Sequence, residues 1–149
     1  MTFKQKIYHH YLEKINRKIK ELELVLADLK ESGSNETKST AGDKHETALA
    51  MLQIEQANVR KQMTEALLQK SLLLKINPGI AAVQILNGSL VKTNKGYFFL
   101  SMAGGKVMIE GREVTAISFQ SPLGKKLAGL GVGEIAEING NSFTIESFE

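Results

Sequence analysis

Apolar residues recur at steps of three and four over residues 3–29, the spacing that places them on one face of a helix. At ~1.5 Å per residue, such a helix is roughly 40 Å long. A second helical pattern runs from residue 43 to the Asn-Pro-Gly sequence at 77–79, with Leu52, Val59, Ala66 and Leu73 seven residues apart. Two helices of similar length predict an antiparallel coiled-coil hairpin over residues 1–77. The first stripe comprises Ile7, Tyr11, Ile15, Ile19, Leu22, Leu26 and Leu29.

The segment between the two patterns, residues 31–42, is rich in Ser, Thr and Gly and has no apolar stripe. This composition predicts a loop that joins the helices.

From residue 80 the pattern changes to short β-favouring runs separated by turn residues. These runs predict a small, mainly antiparallel β-domain over residues 78–149, and hence an α+β protein of two domains. One short helix interrupts the sheet, since Ser121 is a good N-cap, Pro122 suits the first helical position and Gly131 ends the stripe. The predicted strands are residues 83–86, 97–100, 106–109, 114–118, 135–138 and 142–145.

Charge and composition narrow the possible partners. Residues 1–77 carry thirteen basic and ten acidic side chains, and residues 78–149 carry six of each. An excess this small and interspersed argues against a duplex-binding surface, which gathers Lys and Arg on one face. The chain has no cysteine, so disulfides and thiolate zinc sites are excluded. The first residues lack the apolar core of a signal peptide, so we expect a soluble, cytoplasmic protein without a membrane partner.

Candidate chemistry lies at residues 42–48, which read Gly-Asp-Lys-His-Glu-Thr-Ala. Asp43 and Glu46 are three residues apart at the start of the second helix, so their carboxylates share one side of a turn. An Asp-x-x-Glu pair at this position is also typical of a capping box, in which both side chains bind the backbone of the new helix. The two roles are compatible.

The tip motif and the C-terminal half together resemble the Gre-type transcript cleavage factors of bacterial RNA polymerase. Their hairpin tip reads Gly-Asp-Leu-x-Glu-Asn-Ala-Glu-Tyr, which Gly42, Asp43, Glu46 and Ala48 match in register. Their second domain is FKBP-like and carries Ser-Pro-Ile-Ala-Arg-x-Leu, which the Ser-Pro-Leu-Gly-Lys-Lys-Leu at 121–127 resembles.

The resemblance implies an accessory factor, not an enzyme, that inserts its hairpin into the polymerase secondary channel. Asp43 and Glu46 are then the catalytic and metal-binding residues, which supply ligands for a second Mg²⁺ during cleavage of backtracked RNA. Lys44 and His45 are the RNA-proximal residues.

The resemblance also implies a docking site for RNA polymerase at Ser121, Pro122 and Leu123, on a protein expected to be monomeric. The tip departs from the family at Lys44, Thr47 and residues 49–50, which read Leu-Ala in place of Glu-Tyr. A Gre-like regulator that occupies the channel without cleavage therefore stays an alternative. A coiled-coil adaptor whose tip acids are only caps is another.

Overall fold

The long helical patterns and the short β-favouring runs of the sequence form separate helices and strands in a computed structural model, which describes residues 1–37 and 42–149. The side chains of residues 35–37 and 42–45 are outside that description. The fold is α+β, as predicted. The described elements are α1 (Phe3–Thr37), α2 (Gly42–Leu74), β1 (Leu90–Thr93), β2 (Gly96–Ser101), β3 (Gly105–Ile109), β4 (Arg112–Ser118), α3 (Pro122–Leu127), β5 (Ile135–Ile138) and β6 (Asn141–Phe148).

Contacts between residues divide the chain into two compact units. One comprises Glu13–Lys70, and the other comprises Met1–Leu12 together with Ser71–Glu149. The domain boundary between residues 77 and 78 stays a prediction.

Burial within the unit Glu13–Lys70 follows the predicted apolar stripes. On α1, Ile15, Ile19 and Leu22 are at most 8% exposed. On α2, Leu52 and Val59 are half-buried and Ala66 is buried. Most positions between the stripe residues are exposed, and most of these are polar, although large apolar side chains such as Leu24 and Ile54 are exposed among them.

The predicted loop over residues 31–42 was wrong for its first part, because α1 continues to Thr37. Each Ser or Gly lowers helix propensity by at most ~1 kcal/mol, and no proline interrupts the segment. Extending an existing helix needs no new nucleus, so weak helix formers are tolerated at its end. Residues 38–41 lie outside the described residues, and the loop there stays a prediction.

The six described strands form one sheet in the order β3-β4-β2-β1-β6-β5. All neighbouring strands are antiparallel except β2 and β4, which pair in parallel with Tyr97 opposite Val114. Strand β3 is inserted between them in sequence and pairs with β4 at the edge.

One predicted strand is absent from the structure, and one observed strand was not predicted. Residues 83–86 form no strand; Val83 is 95% exposed, and the Ile85 carbonyl accepts from the Gly129 N–H at 3.0 Å. Strand β1 was missed because Leu90 and Val91 are both buried, so its four residues lack alternation. It lies between β2 and β6, with turns at Gly88 and Gly96, where φ is positive.

A cluster of buried side chains from the sheet and α3 forms the core of the β-domain. Half-buried Ile117, Phe119, Leu123, Leu130, Phe143 and Phe148 pack around it. The cluster itself comprises Ile85, Val91, Phe98, Leu100, Leu127, Ala136 and Ile145.

The first turns of α1 belong to the same unit as the sheet, and Tyr11 anchors them. Its fully buried ring stacks on Phe99 with centroids 6.3 Å apart. Its hydroxyl donates to the Gly105 carbonyl at 2.7 Å. A Cβ added at Gly104 would lie 2.9 Å from the Tyr11 ring, so only glycine permits this approach.

Tyr11 predicts a loss of stability in alkali. Burial raises its pKa from 10.0 to about 12, against a smaller opposing effect of the Ala116 backbone. Below pH 10, the folded and unfolded chains both keep the proton; between pH 10 and 12 the unfolded chain loses it first. The free energy of unfolding, measured by denaturant titration, should therefore fall across this range.

In Tyr11→Phe, the free energy of unfolding should fall less between pH 10 and 12, because the contribution of Tyr11 is removed. Tyr97→Phe, at a half-exposed tyrosine, is the matched control. An alkaline slope equal in Tyr11→Phe and the unmodified protein would contradict this assignment.

Candidate functional site

The predicted tip residues begin helix α2. Helix α2 starts at Gly42, within one residue of the predicted start, so Asp43, Lys44 and His45 lie in its first turn. Their side chains are outside the described residues, and their predicted roles stay predictions. Glu46 is described, and its side chain is exposed.

The residues that follow Glu46 are partly buried. Ala48 and Leu49 are half-buried, whereas Glu46 and Thr47 are exposed. Leu49, which stands where the Gre motif has a glutamate, is thus a partly shielded apolar side chain. The described start of α2 therefore presents one exposed carboxylate, at Glu46.

Acidic side chains at the N-terminus of α2 also suit the helix itself. A negative charge near a helix N-terminus interacts favourably with the helix dipole, typically by 0.3–1 kcal/mol at exposed positions. Since the capping box needs the Asp43 side chain, that alternative also stays a prediction.

The second predicted site, residues 121–123, is the start of α3. Ser121 has extended backbone angles, and its hydroxyl accepts from the Gly124 N–H at 3.1 Å. The same hydroxyl donates to the Ser118 carbonyl at 2.6 Å. Ser121 is thus the N-cap and Pro122 occupies the first turn, as the sequence predicted.

The three residues of this site differ in what they offer a partner. Pro122 is exposed, and Leu123 is half-buried against the core. The Ser121 hydroxyl is engaged in two hydrogen bonds within the turn. A partner at this corner therefore meets Pro122 and the exposed Lys125 and Lys126 before it meets Ser121.

Sequence reasoning missed Gly124, on which this corner depends. A Cβ added there would lie 2.4 Å from the Ser118 carbonyl oxygen and 2.8 Å from that of Phe119. Nothing in the sequence pattern indicated this need, because the Gre motif has alanine at the same position. The turn before α3 therefore lies closer to the helix than an alanine would permit.

The tip and the α3 corner belong to different units, Glu13–Lys70 for the tip and Ser71–Glu149 for the corner. Within the part of the chain that the structure describes, no three His, Cys, Asp or Glu side chains gather as ligands for a metal ion. Mg²⁺ is often held in proteins by one or two carboxylates with several waters, so a pair such as Asp43 and Glu46 fits its ligand chemistry.

None of the described helices is both long and apolar enough to cross a membrane.

Comparisons with known proteins include a distant structural likeness. No protein-family model matches the chain, and no curated protein matches it. Among solved structures, the chain is similar to that of the transcription factor Gfh1, with 20% sequence identity and a TM-score of 0.31. The match covers 96% of this chain and 91% of that one. At this TM-score the likeness carries no inference about function.

Gly124→Ala should destabilise the protein by about 1–3 kcal/mol, because the new methyl group overlaps backbone that cannot rotate away. Urea denaturation measures the loss. Gly131→Ala is the matched control, since its Cβ would meet a side-chain atom and no backbone: the Glu134 carboxylate oxygen at 3.2 Å, which accepts from the Gly131 N–H. Equal stability of the two variants would show that the α3 turn relaxes around the methyl group.

Proposed function

We propose that this protein is a transcription elongation factor that binds RNA polymerase, inserts its helical hairpin into the secondary channel and stimulates Mg²⁺-dependent cleavage of backtracked RNA. The observation that carries the proposal is the exposed Glu46 near the start of the 33-residue helix α2, in register with the Gre tip motif. A carboxylate at that position is accessible to a partner.

Asp43 and Glu46 would hold the ion together with carboxylates of the polymerase. When bound, a second Mg²⁺ helps to stabilise the attacking and leaving oxygens of phosphodiester hydrolysis. The residues of this chain contribute negative charge and oxygen ligands, and their three-residue spacing places both on one side of a turn. The protein is therefore an accessory factor that completes another enzyme's site.

The helices provide the reach that the proposal needs. Helix α2 has 33 residues, and at 1.5 Å per residue it is about 50 Å long. The exposed surface of α2 carries polar side chains together with large apolar ones, including Met51, Ile54 and Leu68. Lys44 and His45 would lie near the RNA phosphates, which they would attract.

The α3 corner is the proposed docking site on the polymerase. Pro122 gives it an exposed, conformationally fixed apolar contact, and Lys125 and Lys126 add positive charge. The Ser121 cap holds that turn in place, so Ser121 acts by positioning its neighbours.

A regulator that occupies the channel without cleavage is the second candidate. The half-buried Leu49 favours it, because the Gre motif has a third acid there. With Lys44 beside the two remaining acids, the tip carries less negative charge than the motif.

RNA release from stalled, backtracked polymerase complexes tests the proposal. Asp43→Asn and Glu46→Gln should each slow Mg²⁺-dependent shortening of the transcript by about tenfold or more, equivalent to ~1.4 kcal/mol in the barrier. Asn keeps capping ability, so the helix start is preserved. Glu55→Gln, which removes an exposed acid from the same helix, should leave the rate unchanged.

Binding to the stalled complex is measured in parallel. Binding without shortening by the unmodified protein would favour the channel-occupying regulator, and an absence of binding would contradict the polymerase assignment altogether.

A further inference from the structure

A surface cavity of about 210 Å³ lies beside the start of α1 and the segment after α2, within one compact unit. Its volume is several times the ~30 Å³ that a water molecule occupies in the liquid. Lys4 and Lys75 line it, together with Asn77, Asn87, Ile80 and Leu86 among others.

Lys4 is the unusual feature of this cavity, because the residue is only 3% exposed. Its ammonium group donates to the Ile80 carbonyl at 3.0 Å. An ammonium group has three donors, and no second acceptor for Lys4 is found within the described ranges 1–37 and 42–149. Burial lowers the pKa of Lys4, while the charge of Glu149 opposes that shift. Lys4 is thus a buried cation with one neutral hydrogen-bond acceptor, and the charge of Glu149 offsets only part of the cost of its burial.

The polar groups around the cavity are mainly cations and amides. Lys75 adds a second positive charge, and no carboxylate side chain is among the described residues that line the cavity. The Asn77 side-chain oxygen accepts from the Gly79 N–H at 3.0 Å, so its amide N–H₂ group is the part that remains to donate. Such a set of donors favours an anion over a cation.

The remaining wall is apolar and accessible. Ile80 is 63% exposed and Leu86 is 41% exposed, and the neighbouring Val83 is 95% exposed. An anion that fills the cavity therefore gains from carrying a short hydrocarbon group, because contact with these side chains removes apolar surface from water.

From this juxtaposition we propose that the cavity binds a monocarboxylate carried on a short apolar group, with the carboxylate against Lys4 and Lys75 and the hydrocarbon against Ile80 and Leu86. A carboxylate attached to a short apolar group occurs both in free short-chain carboxylates and at the C-terminus of a polypeptide that ends in an apolar residue. A phosphate dianion fits less well, because the apolar wall would displace part of its hydration without replacing the hydrogen bonds.

The proposal is independent of any role at the polymerase, and a titration of the full-length protein tests it. Methyl resonances of Ile80 and Leu86 are followed by NMR while sodium 3-methylbutanoate is added. We expect saturable shifts at these methyl groups and at the Lys4 side chain. The neutral analogue 3-methylbutanamide should bind at least about tenfold more weakly, since charge contributes ~1.4 kcal/mol or more.

Lys4→Met should abolish saturable binding. Should that buried substitution impair folding, the exposed Lys75→Gln provides the second test and should weaken binding. Lys106→Met, an exposed lysine on β3, is the matched control and should bind as the unmodified protein does. N-acetylleucine distinguishes the two sources: tighter binding than 3-methylbutanoate supports a polypeptide C-terminus, and weaker saturable binding supports a free carboxylate.

Linear, non-saturable shifts, equal affinity for the amide, or tighter binding of inorganic phosphate would each overturn the proposal.

Discussion

The packing of Tyr11 against the sheet is the contact on which the unit formed by Met1–Leu12 and Ser71–Glu149 depends. The ring stacks on Phe99 and the hydroxyl donates to Gly105, so one side chain joins the start of α1 to β2 and to the edge strand β3. Gly104 makes the approach possible because any Cβ there would overlap the ring. Burial of an aromatic side chain provides the main stabilisation, and the hydroxyl hydrogen bond fixes the orientation.

A second close contact shapes the α3 corner in the same way. Gly124 permits the turn to approach the helix, and Ser121 closes the turn by accepting from its backbone N–H. Pro122 is then held at the surface by its neighbours, with Leu123 anchored against the core. Because these contacts already fix the turn, the docking proposed for this corner would cost little ordering entropy.

Periodicity predicted the helices well, because burial of α1 and α2 follows positions such as Ile15, Ile19 and Ala66 that the sequence marks at helical spacing. It failed where burial does not follow a regular period. Ile85 is buried from an irregular segment, and β1 is too short and too uniformly buried to alternate. Composition suggested a loop from residue 31, but helix extension is more tolerant of Ser and Gly than composition implies. The Ser121 cap was predictable from local chemistry, whereas the need for Gly124 arises from a contact with Ser118 that only the fold reveals.

We propose that the acids at the start of α2 complete a Mg²⁺ site in the polymerase. The most direct measurement is the Mg²⁺ concentration that gives half-maximal transcript cleavage by a backtracked polymerase complex, with and without this protein. The protein should lower this concentration severalfold, and Glu46→Gln should restore the value of the polymerase alone. A half-maximal concentration that is unchanged by the bound protein would contradict it.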